Sequence, residues 1–147
     1  MNPDKNLDRL IAVAVDSQKR YQHAALDVGK DYLVKFFNRQ SEVRKRHADE
    51  LQAERNKLGT KKDESGSVAG ALDTAAMDFS VVMSMGDTGV VDWCRKDADA
   101  AAQEYQKALA ANGSSQLRPV IERQLGEIRA TVASLEQVLR EYGGPRS

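Results

Sequence analysis

Metal or nucleophile chemistry in this sequence would have to be built from two histidines, one cysteine, four tyrosines and the carboxylates around them. A di-metal centre inside a helical bundle takes a Glu from each of two helices and a Glu-x-x-His pair from each of the other two. Residues i and i+3 share a helix face, so that spacing brings carboxylate and imidazole to one ion. Three residues after Glu42, Glu50, Glu54, Glu104, Glu122, Glu127, Glu136 and Glu141 stand Lys45, Ala53, Lys57, Lys107, Leu125, Ala130, Leu139 and Gly144. The Glu-x-x-His pattern is absent, and both histidines, His23 and His47, lie in the first half of the chain. The one shifted alternative is His47 with Glu50 and Glu54, three ligands on a single helix that would leave the far side of an ion open. The residues therefore predict no resident metal or other cofactor and no catalytic residue.

The remaining chemistry-bearing side chains fall on helical stripes. Gln18, Gln40, His47 and Glu54 are polar positions on the first two stripes, and a turn at Gly29 would set Gln18 opposite Gln40 as an interior amide pair that fixes register. His47 and Glu54 would then stand nearer the end of the bundle, partly wet. Cys94 follows Trp93 on an apolar face and reads as a buried structural thiol. Tyr21 and Tyr105 read as core aromatics with one polar end, and His23 falls off its stripe into solvent. The run Arg44, Lys45, Arg46, flanked by Glu42, Asp49 and Glu50, reads as a solvated helix face. The sequence holds no glycine-rich phosphate loop, nucleophile motif or zinc spacing.

The elements that must position these residues are helices. Residues 3–28 open with Asn2, Pro3 and Asp4 and carry Leu7, Leu10, Ile11, Ala14, Tyr21, Ala25 and Val28 at spacings of three and four. Residues 31–58 carry Leu33, Phe36, Val43, Leu51 and Leu58, with Gly59 as the stop. The stretch from Thr60 to Gly66 is polar, whereas 67–85 is rich in Ala, Val, Met and Gly and predicts a helix roughly 29 Å long, apolar around most of its circumference. Residues 88–111 follow the break at Gly86 to Gly89, and Asn112-Gly113 closes them. Residues 115–142, with Pro119 in the first turn, place Leu117, Ile121, Leu125, Ile128, Val132, Leu135 and Leu139 on one face. Short turns near Gly29 and Gly113 make two antiparallel hairpins, and the long connection lets the third bundle helix start at the same end as the second.

Composition agrees with this reading. Hydrophobic residues make up 41% and charged residues 30% of 147, with three prolines, which predicts one soluble all-α domain over 1–147. Twenty-two basic residues balance 22 acidic ones, so no overall field favours nucleic acid or an anionic membrane. No run approaches the ~20 apolar residues that span a bilayer. The N-terminus has no signal-peptide core, and a lone cysteine makes no internal disulfide, so a cytoplasmic location is expected.

Three phrases carry a family resemblance: Gly66-Ser67-Val68-Ala69-Gly70-Ala71-Leu72 before Met77-Asp78, Ala48-Asp49-Glu50-Leu51 before Lys57-Leu58-Gly59, and Tyr105-Gln106-Lys107-Ala108-Leu109. Together they resemble an uncharacterised bacterial family of four-helix-bundle proteins with a ferritin-like fold. The resemblance covers about Leu7 to Val138. It implies a ferritin-like antiparallel four-helix bundle with an additional crossover helix between the second and third bundle helices, and a bacterial source, without an activity. The resemblance also implies acidic residues at the positions of Gln18 and Ala98, a pattern from which this chain departs.

The functional expectation is a non-enzymatic bundle with a degenerate ferritin-like core that lacks a di-iron site. It would act by self-association or by binding another protein, as a homodimer or larger homo-oligomer. Its contact surface would include Ala69, Met77, Val81 and Met85 on the apolar segment 67–85. The alternatives are a divergent metal-binding oxidase of the ferritin-like kind and a stress-related protein that binds a small ligand inside the bundle.

Overall fold

The computed structural model describes residues 3–57, 86–111 and 116–143. These form four helices and no strand: α1 (Pro3–Asp27), α2 (Asp31–Lys57), α3 (Gly86–Ala111) and α4 (Arg118–Gly143). Pro3 opens α1, where its fixed φ suits the helix and its missing N–H leaves nothing unsatisfied. Asp31 and Asp87 stand in the first turns of α2 and α3, and Arg55, Lys57 and Arg140 in the last turns of α2 and α4, each charge placed to match the helix dipole. Gly86 takes φ +83°, a left-handed value that favours glycine, at the start of α3.

The α1–α2 turn is tight. The Val28 N–H still donates to the Ala24 carbonyl at 3.0 Å, and the Leu33 N–H reaches the Lys30 carbonyl at 3.0 Å as α2 begins. The Asp87 carboxylate accepts from the N–H groups of Gly29 (2.9 Å) and Lys30 (3.3 Å), so the start of α3 is fixed to this turn.

Cross-helix contacts give the topology. Arg9 meets Glu104, Ser17 meets Asp97 and Gly29 meets Asp87, so α3 runs antiparallel to α1. Glu50 meets Arg123, His47 meets Glu127 and Gln40 meets Thr131, so α4 runs antiparallel to α2. It follows that α2 and α3 run in the same direction. The last turn of α2 lies beside Asp8, held by the Arg55 Nε–H to Asp8 Oδ1 bond at 2.9 Å, while α3 begins at the opposite end. Residues 58–85 therefore join opposite ends of the bundle. The helix expected over 67–85, the contact residues Ala69, Met77, Val81 and Met85, and the closing Asn112-Gly113 all lie outside the described residues.

The core has two apolar clusters. Leu7, Leu10, Val13, Leu51, Ala101, Tyr105, Ile121 and Ile128 fill one end, and Tyr21, Ala24, Leu33, Phe37, Val90, Cys94 and Leu135 fill the other. Burying each of the larger aliphatic side chains contributes about 2 kcal/mol. On each helix the two clusters are separated by polar residues. The α2 stripe differs from the expectation: its buried positions are Leu33, Phe37, Ser41, Arg44, His47, Ala48, Leu51 and Arg55, while Phe36 and Val43 are half-buried. The helix presents a polar segment to the core where the apolar pattern alone selected Val43.

Candidate functional site

The polar layer draws on all four helices. From α1 come Ser17 and Arg20, from α2 Ser41, Arg44 and His47, from α3 Asp97, and from α4 Gln124 and Thr131, all buried. Spacings of three (17 and 20; 41, 44 and 47) keep these residues on one face of each helix, the face that also carries the core leucines. Burying one guanidinium costs several kcal/mol unless it is paired and hydrogen-bonded, more than a leucine contributes. A layer with two buried guanidiniums, Arg20 and Arg44, is therefore an expensive feature to place in a core.

Much of the layer is internally satisfied. Ser17 Oγ–H donates to Asp97 Oδ2 at 3.4 Å, and Arg20 Nε lies 3.8 Å from Asp97 Oδ1, while the Arg20 guanidinium sits 5.6 Å from the centre of the Trp93 ring. Burial pushes the Asp97 carboxyl upward, against the pull of Arg20 and Arg44. Tyr105 O–H donates to Gln124 Oε1 at 2.7 Å, and the Gln124 amide donates to Glu50 Oε1 at 2.9 Å. Thr131 Oγ–H is placed against Gln40 Oε1 at 2.8 Å and the Glu127 carbonyl at 3.1 Å.

His47 is 2% exposed and its Nε2 lies 2.6 Å from Glu127 Oε1. Burial lowers its pKa to about 4; the Glu127 hydrogen bond opposes that shift and the nearby Arg44 charge adds to it. Near neutral pH His47 is therefore uncharged. With its Nε2–H given to Glu127, its Nδ1 is an acceptor without a partner. The position expected to be partly wet is buried at the edge of a surface cavity, because the α2 stripe runs through it.

Arg44 is the least expected member. Read from the sequence as part of a solvated basic run, it is 1% exposed, whereas Lys45 and Arg46 are exposed. Its guanidinium lies 5.4 Å from the centre of the Tyr21 ring, which in turn stacks on Phe37 at 5.9 Å. Its guanidinium nitrogens and the Tyr21 hydroxyl are buried together, and Arg44 acts on the phenol both as a charge and as a hydrogen-bond donor. Burial pushes the Tyr21 phenol upward, with Arg44 acting in the opposite direction.

Around the expected polar pair, the contacts run through the Gln18 backbone and the Gln40 side chain. Ser41 Oγ–H donates to the Gln18 carbonyl at 3.2 Å where α1 and α2 meet, and the Gln40 side chain turns to Thr131 on α4. Of the shifted metal alternative, Glu50 is engaged by Arg123 and Gln124 and Glu54 by Lys57 at 3.2 Å. His47 and Glu50 share the lining of a surface cavity of about 400 Å³ with Arg46, Asp49, Arg123 and Glu127; Glu54 is not among its lining residues. Among the described residues no three His, Cys, Asp or Glu side chains converge as metal ligands. Cys94 is buried, and burial with the nearby Asp97 charge pushes its thiol pKa well up, away from nucleophilic use. None of the described helices is long and apolar enough to cross a membrane.

The layer residues that sequence reasoning missed are Ser17, Arg20, Ser41, Arg44, Asp97, Gln124 and Thr131. A signal existed for α2, since Leu33, Phe37, Ser41, Arg44, Ala48, Leu51 and Arg55 recur at intervals of three and four, but charged members make such a stripe read as surface. The family described as Domain of unknown function (DUF2383) matches residues 3–111. No curated protein and no solved structure matches the chain.

Proposed function

This chain belongs to the DUF2383 family, and from that premise we propose a non-enzymatic, cytoplasmic bundle, ferritin-like in topology, that works by association with copies of itself or with another protein. The observation that carries the reading is Arg44. A ferritin-like oxidase surrounds two cations with carboxylates and imidazoles at the centre of its four helices. The corresponding layer here contains a permanent buried cation, a second guanidinium at Arg20, and amides and hydroxyls at Gln124, Ser17, Ser41 and Thr131, with Asp97 as the buried carboxylate. That donor set does not fit a di-metal centre, because the guanidiniums repel the ions that the site would have to attract. The parallel course of α2 and α3, with residues 58–85 joining opposite ends, supports the one-crossover topology.

Elemental analysis of protein expressed in iron-supplemented medium tests this reading. The expected result is no stoichiometric iron, manganese or zinc and no ferroxidase activity. About two metal ions per chain, as conventional sites hold, lost on Glu50→Ala or Glu54→Ala, would overturn it in favour of a divergent oxidase.

A further inference from the structure

We draw no further inference here: the strongest candidate, the surface cavity of about 400 Å³ between α2 and α4, has the carboxylates of Asp49, Glu50 and Glu127 on its lining engaged by Lys45, Arg123 and His47, and nothing in the structure shows what occupies it.

Discussion

At the scale of single residues the interior is governed by what burial does to charge. His47 is neutral in the folded protein because its imidazole is buried and lies near Arg44, whereas in the unfolded chain it titrates near its ordinary value of 6.5. A folded pKa of about 4 means that the unfolded chain binds more protons between pH 6.5 and 4, so stability is full above that window and falls as the pH drops through it. A shift of this size corresponds to roughly 3 kcal/mol at the acid end. Glu50 contributes below its ordinary value: burial pulls it up, but bonds from Arg123 and Gln124 outweigh that and hold it down, so its stabilisation is also lost in acid. Urea unfolding at pH 7, 5.5 and 4 should show this loss. His47→Gln should flatten the portion between pH 6.5 and 5, and an unchanged pH slope in that variant would assign the acid sensitivity to carboxylates alone.

Element by element, the helices follow from local signals that the sequence displays openly. Gly29 between two amphipathic runs, Pro3 at a helix start and the regular recurrence of Leu117, Ile121, Leu125, Ile128 and Leu135 require no tertiary knowledge. The rotation of α2 does require it. His47 turns inward where Gln124 and Glu127, on a helix distant in sequence, meet it, and Arg44 follows on the same face, over the Tyr21 ring. Hydropathy scores one helix at a time, so it placed Arg44 in water and Val43 in the core. One local flaw remains in α4, where Gly126 is exposed in mid-helix and an added Cβ would meet nothing within 4 Å. Gly126→Ala should therefore stabilise the protein by about 0.5–1 kcal/mol through the lower entropy of the unfolded chain. Chemical denaturation measures this, and a loss of stability would show that the α4 backbone or the neighbouring groove needs the glycine.

For the whole molecule, the candidate site was half legible: the absence of Glu-x-x-His could be read off the sequence, whereas the polar layer depends on four helices meeting at one level. The association reading belongs to this scale too, and its motive in the described residues is an exposed apolar end. Leu26 is 82% and Tyr32 48% exposed, and they flank the α1–α2 turn to which Asp87 fixes the start of α3. Single exposed apolar residues are ordinary, but two beside one turn give the proposed association a surface to test. Covering Leu26 and Tyr32 in both copies of a symmetric pair would contribute about 2 kcal/mol or more for each side chain. Light scattering at tens of micromolar should give the mass of a dimer or larger assembly. Leu26→Ser with Tyr32→Ser should weaken that assembly at least a hundredfold, since each 1.4 kcal/mol is worth about tenfold, while leaving the helical signal and the His47-dependent pH slope in place. A wild-type monomer at that concentration would remove self-association from the reading, and an assembly indifferent to the double variant would move the contact to another face.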